Sequence, residues 1–147
     1  MIISTKAFKD GEEIPAEYTC DGNDISPELV FSDIPRETKS LALIVDDPDS
    51  PVGVWNHWTI WDIPPNIAGL KKGEVPQNAR EGVTSFGGVG YGGPCPGKGR
   101  HRYFFKLYAL DSVLELPQKS SKEELIESML GRIIAEAEVY GTYERKK

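Results

Sequence analysis

The sequence predicts an all-β fold, a sandwich or barrel, with one helix near the C-terminus. Fifteen glycines and eleven prolines are spread through the chain, and short β-branched or aromatic runs alternate with them. A spacing of about ten residues between such turn signals is typical of all-β sandwiches and barrels. The chain has 147 residues, close to the roughly 150 residues of one domain, so we expect residues 1–147 to form a single domain.

Short runs rich in β-branched and aromatic residues mark the candidate strands. They cover residues 2–5, 29–31, 40–46, 57–63, 84–86, 102–110 and 137–143. The run 41–45 is apolar throughout, which predicts a strand covered on both faces. The remaining residues form loops that are rich in glycine and proline and connect these strands.

Side chains alternate between the two faces of a strand, so the sequence predicts which residues lie together. The strand that begins near residue 101 places its odd-numbered positions on one face: His101, Tyr103, Phe105, Leu107 and Ala109. The segment 57–63 divides into two sets: His57, Thr59 and Trp61 on one face, Trp58 and Ile60 on the other. Large apolar groups on both faces predict a central strand.

One helix is predicted to begin near Ser120 or Ser121. Each of these serines is followed three residues later by a glutamate, which is the capping-box pattern. Apolar residues then recur at helical spacing: Leu125, Ile126, Met129, Leu130, Ile133 and Ile134. Gly131 interrupts the pattern, so the helix ends there or continues to about residue 135.

Charge and hydropathy exclude two classes of partner. Seventeen basic against twenty-three acidic residues give a net charge of −6, which disfavours nucleic acid because phosphate backbones require clustered cations. No apolar run approaches the ~20 residues that cross a bilayer, so we expect no integral membrane segment. The N-terminus lacks the apolar stretch of a signal peptide, which predicts a cytoplasmic protein.

The two cysteines, Cys20 and Cys95, are too few for a disulfide framework and lack metal-ligand spacing. We expect two free thiols. A single bridge between them, as found in the cytosol of hyperthermophiles, is the alternative.

Two loops and two histidines are candidates for a functional site. Residues 87–99 contain seven glycines, which form either a shaped rim for a ligand or a long sandwich-edge loop. Residues 46–51 contain three aspartates and two prolines, which form either a solvated bend or a carboxylate directed into the fold. His57 and His101, the two histidines of the chain, lie near these loops and are either packed core residues or site groups, including a metal triad with one aspartate.

Five motifs strengthen the functional interpretation when they are taken together. In chain order they are Tyr18-Thr-Cys-Asp-Gly with Ser26-Pro27, Asp46-Asp-Pro-Asp-Ser-Pro51, Trp55-Asn-His-Trp58, Tyr91-Gly-Gly-Pro-Cys-Pro96 and Gly99-Arg-His-Arg-Tyr103. From about residue 5 to residue 143 the chain resembles the phosphatidylethanolamine-binding protein family, in its small bacterial and archaeal branch described as Raf-kinase-inhibitor-like. The resemblance implies a sandwich of two antiparallel sheets with a C-terminal helix.

The resemblance also implies a pocket for small anions such as phosphate or a phosphate-bearing headgroup. Its expected residues are Asp47, His57, Cys95 through its backbone N–H, Pro96 as a wall, His101 and Tyr103. One departure from the family is Pro96-Gly97, where related sequences have two prolines after the cysteine. The chain is also shorter than the animal members, and we carry no kinase inhibition across.

We therefore expect a small-anion-binding protein, without metal or cofactor, in which no residue is assigned as catalytic. Phosphate would accept hydrogen bonds from both imidazoles, the Tyr103 hydroxyl and the loop N–H, while Asp47 would accept from an imidazole or meet a ligand proton. The alternative is a hydrolase of a small phosphoester or ester that uses Asp47, His57 and His101.

Regulation of an unidentified partner protein is a third expectation, and it is compatible with anion binding. Trp55, Trp58 and Tyr91 would either supply contact area at the pocket mouth or pack in the core. A homodimer is compatible with the sequence, which selects no interface.

Overall fold

The protein, described for residues 1–145 by a computed structural model, contains eight strands, one α-helix and one 3₁₀-helix (Ala16–Tyr18) within that range. Residues 146 and 147 of the expected domain lie outside the described residues. The strands are β1 (Ile2–Ser4), β2 (Leu29–Ser32), β3 (Ser40–Asp47), β4 (Trp55–Ile63), β5 (Gly69–Leu70), β6 (Arg80–Glu81), β7 (His101–Leu110) and β8 (Ile133–Tyr143), and the helix is α1 (Lys122–Met129).

The strands form two antiparallel sheets, which confirms the predicted fold class. The smaller sheet has the order β1-β2-β5, and the larger sheet has the order β6-β4-β3-β7-β8. β3 and β7 are neighbouring strands inside the larger sheet and run antiparallel. The C-terminal end of β3 and the N-terminal end of β7 therefore lie side by side at one end of the sandwich. That end carries the aspartate-rich bend and the start of β7.

The core confirms that β3 is covered on both faces, since all eight of its residues are buried. One face packs between the sheets, where Leu41, Leu43 and Val45 join apolar residues of the smaller sheet. The opposite face carries Ala42 and Ile44, which pack with the helix side chains of α1. The continuous apolar run therefore has a simple cause: alternation sends its members into two different apolar clusters.

Helix α1 begins at the predicted capping box. The Ser121 hydroxyl accepts the Glu124 N–H at 3.1 Å, and the Glu124 carboxylate accepts the Ser121 N–H at 2.8 Å. The helix ends at Met129, and Gly131 has φ +76°, a conformation that suits glycine. The continuation to residue 135 is therefore wrong, because β8 begins at Ile133. With only eight residues in α1, no helix in the described part of the chain has the length and apolar character needed to span a bilayer.

Two other expectations about local structure need correction. Residues 84–86 form a turn rather than a strand, since the Gly87 N–H donates to the Thr84 carbonyl at 2.9 Å. The sequence analysis also missed β5 and β6, which have two residues each and show no periodicity.

Cys20 and Cys95 are joined by a disulfide bond, so the expectation of two free thiols is wrong. The two residues are 75 positions apart in sequence, but the Cys20 N–H donates to the Pro94 carbonyl at 3.1 Å. This hydrogen bond brings the two loops together and places the α-carbons 5.4 Å apart, within the range that a disulfide requires.

Candidate functional site

One pocket of about 200 Å³ lies where the ends of β3, β4 and β7 meet the Gly-rich loop, and all six residues of the expected site line it. Those residues are Asp47, His57, Cys95, Pro96, His101 and Tyr103. Six further residues complete the lining: Ser50, Pro51, Val52, Trp55, Phe86 and Gly97. That this pocket binds a ligand stays a prediction.

Strand alternation separates the two adjacent aspartates at the end of β3. Asp46 lies on the outer face of the sheet, where Lys106 and Lys122 approach its carboxylate at 3.3 and 3.2 Å. Asp47 lies on the face that packs between the sheets and is 3 % exposed. One carboxylate of the acidic bend therefore points into the fold, as the functional interpretation of this bend required.

His57 reaches the pocket through a β-bulge. Val45 of β3 pairs with Trp58, but the next residue, Asp46, pairs with Asn56, so His57 is an extra residue without a partner on β3. A bulge shifts the alternation by one position. His57 therefore lies against Tyr103, with ring centroids 5.2 Å apart, whereas Trp61 packs in the cluster beneath α1. The predicted shared face of His57 and Trp61 is wrong for this reason.

Asp47 and His101 form a buried pair. The Asp47 Oδ2 atom lies 2.7 Å from Nδ1 of His101, and the Lys98 carbonyl oxygen lies 3.2 Å from Nε2 of the same ring. Both ring nitrogens thus face acceptors, and an imidazole donates from both nitrogens only when it is protonated. The arrangement is satisfied by an imidazolium and a carboxylate, whose charges cancel inside the pocket.

The bend that follows β3 is fixed by a second aspartate. The Asp47 Oδ1 atom accepts the Asp49 N–H at 2.7 Å, which closes the turn. Arg102 of β7 donates to both carboxylate oxygens of Asp49 at 2.9 Å, and its guanidinium lowers the pKa of Asp49 to about 2. These contacts attach the aspartate bend to the start of β7, in addition to the direct contact between Asp47 and His101.

His57 is arranged as an acceptor. Its Nδ1 lies 2.7 Å from the Gly92 carbonyl oxygen, so the proton of a neutral ring resides on Nδ1. Burial lowers the pKa of His57, which favours the neutral ring. Nε2 then carries a lone pair and makes no hydrogen bond with any residue between 1 and 145.

Tyr103 supplies the complementary donor. Its hydroxyl oxygen is buried and has no hydrogen-bond partner among the described residues. Burial, together with the negative charge of Asp47, raises the pKa of Tyr103, so the hydroxyl keeps its proton. Most buried polar groups are paired, and an unpaired one in a pocket indicates a partner that the protein does not itself provide.

The Gly-rich loop closes the pocket from the side of the disulfide. The Gly93 N–H donates to the Asp24 carboxylate at 2.7 Å, and a β-carbon at this position would collide with the Tyr18 carbonyl, so glycine is required for the close approach. Further along, Pro96 is buried as a wall, and the Cys95 N–H forms no hydrogen bond within the described chain. This N–H is therefore available to a ligand.

The aromatic residues near the mouth divide into core and pocket groups. Trp58 is 1 % exposed and packs edge-on against Tyr91, with ring centroids 5.6 Å apart. Trp55 lines the pocket beside Phe86, which is half exposed and which the sequence analysis placed in a strand. No sequence signal identified Phe86, because its position depends on the turn that begins at Thr84.

The structure differs from the expected donor set in one respect. The His57 N–H is already taken by Gly92, and both nitrogens of His101 face protein acceptors. Polar groups of the pocket without protein partners within residues 1–145 include the Tyr103 hydroxyl, the Cys95 N–H and Nε2 of His57. The pocket therefore offers a ligand both donors and an acceptor.

The protein is thus a two-sheet antiparallel sandwich with a small pocket at the ends of its strands. The family profile described as phosphatidylethanolamine-binding protein matches residues 4–144. The chain belongs to this family, and it is a ligand-binding protein of that type.

Curated relatives and solved structures agree with this assignment. The chain is 49 % identical to a UPF0098 protein of Methanothermobacter thermautotrophicus, covering 99 % of each chain, and 47 % identical to one of Aquifex aeolicus, covering 99 % of this chain and 89 % of the relative. A phosphatidylethanolamine-binding protein homolog of Chlamydia trachomatis, CT736, has a TM-score of 0.95 at 45 % identity, covering 99 % of this chain and 97 % of that one. E. coli YbcL, described as a new member of the mammalian family, has a TM-score of 0.91 at 33 % identity, covering 98 % of each chain.

Proposed function

We propose that the pocket binds a small phosphate-bearing anion, either free or as the headgroup of a larger molecule. The observation that supports this most directly is the buried Tyr103 hydroxyl, which keeps its proton and has no partner within residues 1–145. A phosphate oxygen of negative charge is a strong acceptor for such a donor.

The polar groups of the pocket favour a phosphate that carries one proton. The Tyr103 hydroxyl and the Cys95 N–H donate to unprotonated phosphate oxygens, while Nε2 of neutral His57 accepts the P–OH proton. A fully deprotonated phosphate offers no donor to Nε2 and leaves that nitrogen unpaired. An unpaired acceptor that a bound ligand shields from water costs about 1–3 kcal/mol, so the protonated form is preferred.

Charge leads to the same preference. The Asp47 and His101 side chains, 5 % and 10 % exposed, form a pair whose charges cancel. The lining of the pocket therefore carries no excess positive charge, and a dianion would lose hydration without gaining a compensating cation. A singly charged phosphate loses less hydration free energy than a dianion when it enters the pocket.

Three simple anions test this proposal by isothermal titration between pH 5 and pH 8. Methyl phosphate loses its second proton near pH ~6, so its affinity is expected to fall by about tenfold for each pH unit above that value. Dimethyl phosphate is the matched control, since it is singly charged but has no P–OH, and sulfate is a dianion without a proton. Both are expected to bind weakly and with no such slope.

The outcome that contradicts the proposal is equal affinity for sulfate and methyl phosphate at pH 5.5. A methyl phosphate affinity that does not change between pH 5 and pH 8 would likewise contradict the P–OH contact.

Hydrolysis of a small phosphoester or ester is the second candidate, and the unpaired Nε2 of His57 favours it because a general base needs that lone pair. Nitrophenyl phosphate and nitrophenyl acetate, with and without added divalent metal, provide the test. Turnover that disappears in His57→Asn would establish catalysis, and absence of turnover leaves a binding protein.

Exposed apolar residues at the mouth, Val52 and Phe86, would contact a macromolecule that presents a phosphate group. Regulation of a partner protein, homodimerisation and a cytoplasmic location remain proposals that rest on the sequence.

A further inference from the structure

We propose that the Cys20–Cys95 disulfide is a site of thiol–disulfide exchange that controls the shape of the anion pocket. The inference concerns the same pocket and rests on the proposed function for its ligand readout. It begins from two observations: one end of the bridge belongs to the pocket lining, and the two ends are held by very different numbers of other contacts.

Cys20 lies in a firmly anchored segment. Its own N–H donates to the Pro94 carbonyl at 3.1 Å, and the preceding Thr19 is fully buried. On the other side, the Asp21 carboxylate accepts the Tyr143 hydroxyl at 2.6 Å and pairs with Arg145. These contacts do not involve the sulfur, so the Cys20 segment keeps its place when the bridge opens.

Cys95 lies at the start of a segment with few other contacts. From Cys95 to Gly99, the described chain contains one hydrogen bond to the remaining residues, from His101 to the Lys98 carbonyl at 3.2 Å. Cys95 and residues 97–99 are exposed, and the space around the α-carbons of Gly97 and Gly99 is open. Besides the burial of Pro96, the disulfide and this hydrogen bond hold residues 95–99 within the described chain.

Opening the bridge changes the pocket through these same residues. Cys95, Pro96 and Gly97 line it, and the Cys95 N–H has no protein partner in the described chain. Once released, the segment loses the proline wall, whereas the Cys95 N–H shares a peptide plane with the Pro94 carbonyl, which the Cys20 N–H still holds. The Lys98 carbonyl also leaves the second nitrogen of His101, which weakens the pair with Asp47.

The chemistry requires a dithiol as reductant. One thiolate of the dithiol attacks the sulfur of exposed Cys95, forming a mixed disulfide and releasing the Cys20 thiolate, which takes up a proton. The second thiol of the dithiol then attacks the mixed disulfide and releases Cys95. In sum, the protein disulfide gains two electrons and two protons, and the dithiol becomes a cyclic or intramolecular disulfide.

Backbone order and methyl phosphate affinity, measured at pH 6 on the full chain with and without dithiothreitol, test the inference. On reduction, the ¹⁵N order parameters of Gly97 and Gly99 are expected to fall below ~0.6, while those of Cys20 and Asp21 stay near ~0.85. Methyl phosphate affinity is expected to fall about five- to tenfold. The Cys20→Ser/Cys95→Ser double variant is the matched control and should resemble the reduced protein with or without dithiothreitol.

Each other outcome has a definite meaning. Unchanged order parameters, global unfolding on reduction or a bridge that resists dithiothreitol overturns the inference. If residues 95–99 loosen on reduction but methyl phosphate affinity is unchanged, the bridge does not control the pocket, and that part of the inference is wrong. Loosening in a protein that binds methyl phosphate in neither form supports the exchange site and contradicts the proposed function, so the two failures are distinguishable.

Discussion

Asp47→Ala is expected to lower the free energy of unfolding by about 3–5 kcal/mol. The substitution leaves the buried His101 ring without its carboxylate partner, and removal of one partner of a buried pair has a cost of this size. It also removes the acceptor of the Asp49 N–H, which closes the bend beside the pocket. Urea unfolding measures this loss.

Asp49→Ala is the matched control, two residues further along the same bend. Its partner Arg102 is half exposed, and exposed ion pairs contribute about 0.2–1 kcal/mol. We expect a small loss of stability and nearly unchanged affinity. If Asp47→Ala and Asp49→Ala lower the free energy of unfolding equally, the buried pair with His101 stabilises the protein no more than the exposed pair with Arg102. In the Asp47→Ala/His101→Ala double variant, part of the lost stability should return, because the unpaired buried imidazole is gone.

Tyr103→Phe is expected to weaken methyl phosphate binding by about tenfold to a hundredfold without lowering stability. A hydrogen bond to a charged group is worth about 1.5–3 kcal/mol, and this variant removes only the hydroxyl. Since that hydroxyl has no protein partner within residues 1–145, the folded protein loses no internal hydrogen bond. Isothermal titration and thermal unfolding of the same preparation give both quantities.

Tyr91→Phe provides the comparison, because the Tyr91 hydroxyl donates to the Tyr18 carbonyl at 2.8 Å. Its removal leaves a carbonyl unpaired, so stability is expected to fall by about 1–3 kcal/mol while affinity stays the same. The two tyrosine variants thus have opposite profiles. A Tyr103→Phe protein that binds methyl phosphate as tightly as the wild type would contradict the donor role of Tyr103.

The fold was predictable because its signals are local. The apolar run 41–45 predicted a strand covered on both faces, and the two overlapping capping boxes predicted the start of α1 to within a residue. Alternation along β7 placed His101 and Tyr103 on one face, and both line the pocket. These signals depend on one segment at a time, which a sequence displays directly.

The features that the sequence did not show depend on two segments together. The bulge at His57 exists only in the register between β3 and β4, so counting residues within 57–63 placed the ring on the wrong face. The disulfide depends on the approach of two loops that are far apart in sequence. The Tyr103 hydroxyl stands out because it is buried without a hydrogen-bond partner within residues 1–145. Its surroundings come from several elements, so no single segment of the sequence shows this property.

Recognition of a P–OH group requires a lone pair on Nε2 of His57, so the protonation of this ring is the decisive property to measure. At pH 6.5, where an ordinary histidine is half protonated, the lowered pKa of His57 leaves its ring mostly neutral. Imidazole ¹⁵N resonances at this pH should show a protonated Nδ1 and an unprotonated Nε2. Saturation with methyl phosphate should shift the Nε2 resonance, because Nε2 then accepts a hydrogen bond from the P–OH group. A ring protonated on both nitrogens before ligand is added, or an Nε2 resonance that does not respond to methyl phosphate, would contradict the account.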